Sequence, residues 1–140
     1  MSGMPSGDTH AYAETTGGVT VSVQAYYLED QSTPDEDHYV WAYHVRIENN
    51  GPQAVQLLTR YWNITDGRGS IHEVRGDGVV GEQPVLHKGE SFEYTSGTPL
   101  STPSGIMAGS YGMSSEDGRR FDVEIPAFSL DSPHQETQIH

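Results

Sequence analysis

The sequence predicts an all-β domain, an antiparallel β-sandwich of the immunoglobulin or fibronectin type III kind with about seven or eight strands. Three observations carry that prediction. Apolar and polar residues alternate with a period of two over several short runs. Gly 16 and Pro 8 supply frequent turns between those runs. No stretch of helix length repeats its apolar residues every 3.6 positions or so.

The segment 1–18 is rich in Ser, Gly, Thr and Asp without apolar periodicity. It reads as a mobile N-terminal segment, and 131–140 as a mobile C-terminal tail. The folded unit is expected over 19–130. Val19, Val21, Val23 and Ala25 alternate with Thr20, Ser22 and Gln24 in a first strand. A polar loop follows from Leu28 to Asp37. Tyr39, Trp41, Tyr43, Val45 and Ile47 then share one face of the strongest strand, which Asn49-Asn50-Gly51-Pro52 ends.

From Ala54 to Thr65 the pattern changes phase. Val55 and Leu57 lie on one parity, Leu58, Trp62 and Ile64 on the other, as a bulge or a strand changing sheets would produce. Asp66-Gly67-Arg68-Gly69 is a hairpin-type turn into a short strand around Ile71 to Val74. A glycine-rich loop follows, then Pro84 to Glu90 with a turn at Lys88-Gly89. Phe92 and Tyr94 alternate with Ser91, Glu93 and Thr95. Ile106 to Met113 is β-compatible but loosened by Gly109 and Gly112, and Phe121, Val123 and Ile125 form a last strand before Pro126. Trp41, Val45, Ile47, Phe92 and Phe121 are the expected core.

A chain of 140 residues has room for one hydrophobic core. Its formal net charge of -13 repels phosphate backbones, and its seven basic residues are scattered, which excludes nucleic acid as an expected partner. There is no cysteine, hence no disulfide, thiolate metal site or thiol nucleophile. The N-terminus lacks the basic start and apolar run of a signal peptide, and no apolar stretch is long enough to span a bilayer. The expectation is a cytosolic protein that does not engage membranes, with weak self-association through an exposed edge strand left open.

Gly76-Asp77-Gly78-Val79-Val80-Gly81 fits G-x-G-x-x-G, in which glycines admit a pyrophosphate to main-chain N–H groups at a helix N-terminus. Here Glu82, Gln83 and Pro84 follow, so no helix begins. A local anion-binding loop helped by Arg75 is a better functional reading, and positive-φ or close-approach glycines in an inter-strand loop a better one still. Glu29, Asp30, Asp35, Glu36, Asp37 and His38 form an acidic loop without EF-hand spacing, more in keeping with a solvated loop than a magnesium or cobalt site. His44, His72 and His87 have no metal-binding spacing, and no nucleophile elbow or phosphate-binding lysine loop is present. Enzymatic activity is not expected. Tyr, Trp and Arg anchor protein interfaces, which makes Arg60, Trp62, Arg75, Glu82 and Tyr94 the candidate partner-binding patch, against the alternative that Trp62 and Tyr94 simply pack inside, with Gly76, Gly78 and Gly81 the candidate ligand loop.

Several runs carry a family resemblance in order: Val55 to Asp66, Glu73 to Pro84, Glu90 to Gly97, Thr102-Pro103-Ser104-Gly105, Gly109-Ser110-Tyr111 and Ile125-Pro126-Ala127-Phe128. Together they resemble the ApaG family, also called CorD, over essentially all of the folded unit. The resemblance implies a compact sandwich without established enzymatic activity, found as a small bacterial protein and as a module in larger eukaryotic proteins. It further implies a protein-interaction role and an association with cobalt sensitivity and magnesium efflux. Thr98 stands where many relatives carry Cys, and Tyr61 where a His before the Trp is common, which weakens any metal role resting on either. The alternative function is a small-ligand binder holding a phosphate or polyphosphate with a divalent metal at the glycine loop.

Overall fold

The computed structural model describes residues 11–134. These residues form nine strands and two single-turn 3-10 segments, Glu29–Gln31 and Pro34–Glu36. The strands are β1 (Tyr12–Thr16), β2 (Val19–Tyr27), β3 (Tyr39–Asn49), β4 (Val55–Asp66), β5 (Ile71–Asp77), β6 (Val85–Leu86), β7 (Ser91–Leu100), β8 (Ser104–Ser115) and β9 (Arg120–Asp131). One sheet runs β1-β2-β3-β7 and the other β5-β4-β8-β9, with β6 also on β4, and every pairing is antiparallel. This is the two-sheet antiparallel sandwich that the alternation predicts. Among the described residues no helix is long and apolar enough to cross a membrane.

The core sits between the sheets. Along β3, Tyr39, Trp41, Tyr43, Val45 and Ile47 are buried and the intervening residues are not. Val19, Val21 and Val23 on β2 and Val123, Ile125, Phe128 and Leu130 on β9 complete much of the packing. Trp41 also donates its indole N–H to the Asp131 carbonyl at 3.0 Å, so its polar atom is satisfied. Phe92 and Phe121, expected in the core, instead lie half-buried at its margin. Arg119 covers the Phe121 ring at 5.2 Å.

Two further differences from the sequence reading, and one choice that it leaves open, have physical causes. First, β1 lies within the segment 1–18 that was expected to be mobile. Its side chains are mostly exposed, so it carries no alternation, and main-chain pairing with β2 holds it. The turn between them is Gly17-Gly18, both at positive φ, the geometry a two-residue hairpin favours. Of the expected mobile ends, 1–10 and 135–140 lie outside the described residues.

Second, the phase break in β4 is a bulge between Leu57 and Thr59, and the strand stays in its sheet. The extra residue swaps parity, so Val55 and Leu57 before it and Trp62 and Ile64 after it all point inward. Third, Pro126 does not end the last strand. The register of β8 on β9 shifts between Met107 and Gly109, and Ile125, Pro126 and Phe128 are all buried along the continuing β9. A bulge is one of the few places a sheet admits proline, because the missing N–H breaks no ladder bond there.

A candidate ligand-binding cleft between two strand edges

Arg60 and Trp62 project inward from β4, where β5 places Gly76 opposite Arg60 and Val74 opposite Trp62. The Arg60 guanidinium lies on Gly76. A Cβ there would sit 2.8 Å from Cζ, so any other residue would require the guanidinium to shift from this position. Nη1 donates to the carbonyls of Asp77 at 3.0 Å and Gly78 at 2.8 Å, clamping the chain as it leaves β5.

The rest of the glycine loop is a tight turn. Val79 and Glu82 exchange two main-chain hydrogen bonds of 2.8 Å around Val80 and Gly81, which have φ of 42° and 82°. Gly78 also has positive φ, and a Cβ on it would meet the Glu82 carbonyl oxygen at 2.3 Å. Its N–H goes to the Leu58 carbonyl at 2.8 Å. The N–H groups of Gly78, Val79 and Glu82 are therefore committed within the fold, and β6 rather than a helix follows. The G-x-G-x-x-G pattern here records backbone geometry.

The expected surface patch divides. Trp62 and Tyr94, expected to anchor a partner from the surface, are 3% and 8% exposed. Both occupy inward-facing positions of their strands. Trp62 packs edge-on against Tyr43 at 5.3 Å and Phe128 at 6.0 Å. Arg75 emerges on the opposite face of the sheet, over the Tyr61 ring at 4.6 Å and 3.8 Å from Glu73. Gly81 and Glu82 are exposed at the turn.

What Arg60, Trp62 and Tyr94 share is a cleft of about 310 Å³ between the sheets, on the side where β5 and β7 are the terminal strands. Trp62, Ile64 and Met107 form part of its apolar lining. Tyr43, Ser96 and Thr98 bring hydroxyl groups, Tyr94 lines the cleft with its own hydroxyl bonded to Tyr111, and Val74 and Gly97 contribute from the two terminal strands. Thr98 is 7% exposed, and among the described residues its hydroxyl bonds only the Pro99 carbonyl, at a marginal 3.5 Å. Tyr43, Ser96 and Thr98 were not singled out as site residues from the sequence. Their signal is the pairing of β3 with β7, a long-range register that local pattern does not contain.

Arg60 is the cationic group of this cleft. Among the described residues no carboxylate forms an ion pair with it. Burial raises the phenol of Tyr43, and a hydrogen bond with Ser96 and the Arg60 charge offset part of that rise. Burial also raises Tyr94, against the lowering effects of its bond to Tyr111 and of Arg60. Tyr111 is pushed well above the ordinary tyrosine range by burial, with the proximity of Tyr94 adding to the rise. These phenols stay protonated at neutral pH, and the cleft offers the hydroxyl groups of Tyr43, Ser96 and Thr98 and one guanidinium.

Other polar clusters lack such a setting. A second cleft, about 300 Å³, is bordered by Asp37, His38, Asp66 and His72. Among the described residues no three His, Asp or Glu side chains are arranged to hold a metal ion. On the outer face of the other sheet His44 touches Thr95 and Glu93, each at 2.8 Å. That hydroxyl–imidazole–carboxylate chain lies on an exposed strand surface.

Comparison with known proteins follows the same lines as the fold. Residues 29–115 match the ApaG domain family model. Protein ApaG of Parvibaculum lavamentivorans is 61% identical over 129 residues, 92% of this chain and 99% of that protein. Protein ApaG of Rhodospirillum centenum is 63% identical over 123 residues, 88% of this chain and 95% of that one. A crystal structure from Bordetella pertussis, described as an ApaA protein, superposes with a TM-score of 0.81 at 51% identity, covering 83% of this chain and 94% of that one. None of these names denotes an enzyme. With identity of this order over nearly its whole length, the chain belongs to the ApaG family.

Proposed function

We propose that this chain is a non-enzymatic binding module that acts through a protein partner, with the cleft between β5 and β7 as the surface it uses. The observation that carries this reading is the open cleft beside Arg60, whose charge has no carboxylate counterpart among the described residues in a protein of net charge -13. A half-buried cation retained without an ion pair is suited to an external anionic or strongly polar group. The cysteine-free composition supports a cytosolic setting. The family association with cobalt and magnesium would then be exerted through the partner. A phosphate or polyphosphate held with a divalent ion at Gly76, Gly78 and Gly81 has less support, because the N–H groups of Gly78, Val79 and Glu82 in that turn are engaged in main-chain bonds.

The test is affinity capture from native extract with the wild-type chain, Arg60→Gln and Ser96→Leu, each first shown to unfold cooperatively. The reading predicts a specific partner with wild type that both variants lose. Retention of that partner by both variants would assign binding to a different surface.

A further inference from the structure

We infer that the cleft receives an extended peptide segment of a partner protein, which adds as a strand to the free edge of β7 and directs a single carboxylate to Arg60. The inference rests on the protein-binding reading above and specifies the chemistry of the partner.

The hydrogen-bond phase of β7 supplies the first argument. Asn49 N–H donates to the Glu90 carbonyl at 2.9 Å, and the Asn49 carbonyl accepts from Gly89 at 2.6 Å. The odd-numbered main-chain groups of β3 therefore point toward β7. In the observed register they face Phe92, Tyr94, Ser96 and Thr98. Antiparallel ladders alternate, so the N–H groups of Glu93, Thr95 and Gly97 point the other way. Among the described residues no strand pairs with β7 on that side. Pro99 has no N–H and closes the available edge. Strand addition to such an edge provides affinity through main-chain bonds and specificity through alternate side chains.

Charge supplies the second argument. Ser96, Gly97 and Thr98 border the same cleft as Arg60, so alternate side chains of an added strand would face it. Arg60 has spent Nη1 on two carbonyls, and its remaining donors are uncommitted among the described residues. A carboxylate matches a guanidinium in charge and in hydrogen-bond geometry, whereas a Lys or Arg head group would be repelled. The net charge of -13 opposes an acidic peptide at long range. That field is screened over about 8 Å at physiological ionic strength, while a partly buried pair is screened less. The favoured segment thus carries one acidic residue among neutral or basic neighbours.

The experiment titrates the ¹⁵N-labelled full chain with three synthetic heptapeptides of alternating Thr and Val around a central Glu, Gln or Lys. The Glu peptide should bind at least about tenfold more tightly than the other two, moving the Gly97 amide and Arg60 Nε–H resonances. Arg60→Gln should erase the preference. Ser96→Leu, which leaves the Arg60 clamp intact, should weaken all three peptides. Equal affinity for the three, or shifts confined to residues away from β7, would overturn the inference, as would free acetate matching the Glu peptide in affinity. If a captured partner is lost with Arg60→Gln and Ser96→Leu while no peptide binds, the protein-binding reading stands and strand addition falls. Failure of both partner capture and peptide binding removes both.

Discussion

The phenol oxygens of Tyr94 on β7 and Tyr111 on β8 lie 2.5 Å apart, a hydrogen bond that ties one sheet to the other inside the core. Tyr94 is 8% exposed and Tyr111 0%. Each hydroxyl is the other's hydrogen-bond partner, and removing one strands its mate in an apolar interior. Tyr94→Phe or Tyr111→Phe alone should cost about 1–3 kcal/mol, and the double substitution less than the sum. Urea unfolding of the four species measures the coupling; simple additivity would mean that the bond contributes nothing.

Alkaline pH should destabilise the fold. Tyr43, Tyr94 and Tyr111 all have raised phenol pKa values, with burial the first cause in each. Unfolded tyrosines release their protons near pH 10 while the folded ones keep them, so above that pH the unfolded state binds fewer protons. The stabilisation is whole below about pH 10 and declines as pH rises toward the folded values, by up to about 1.4 kcal/mol per pH unit for each tyrosine. Denaturant midpoints between pH 8 and pH 11 or so check this, with a flat profile as the contrary outcome.

Two glycines should respond differently to alanine. At Gly109 the new Cβ would lie 2.1 Å from the Tyr61 carbonyl oxygen, backbone against backbone across β4 and β8. At Gly81 nothing lies within 4 Å, and the only cost is holding φ at 82°. Gly109→Ala should lose about 3 kcal/mol or more through overpacking, and Gly81→Ala about 1–2 kcal/mol. Equal losses in chemical denaturation would contradict the close approach at Gly109.

Trp62→Ala should lower stability by about 3–5 kcal/mol, because the indole is 3% exposed and packs on Tyr43 and Phe128. Thermal unfolding reads this directly. A loss under about 1 kcal/mol would return Trp62 to the surface and to the list of partner contacts. The substitution is accordingly a probe of the core and a poor probe of binding.

Sequence and structure agree where one strand face is buried along its full length. β3 is legible because its alternate residues are all buried, and the β4 bulge because it reverses parity in mid-strand. β1 is not legible, since main-chain bonds hold it while most of its side chains face solvent. The parity rule also misleads across a bulge: Trp62 looks out of phase with Leu57, yet both point inward. In the cleft, Arg60 and the glycines were recognisable as unusual, but their relationship was not. It depends on Gly76 standing opposite Arg60 across β4 and β5, and on β7 lying beside β3, contacts separated by many residues in the chain.

The central claim, that the side between β5 and β7 is the binding surface, is tested most directly by hydrogen–deuterium exchange of the chain alone and bound to its captured partner. Binding there should slow exchange at the amides of Glu93, Thr95 and Gly97 and along Val74–Val79. Unchanged exchange in both segments, with new protection confined to β1 or to the acidic loop from Glu29 to Asp37, would contradict it.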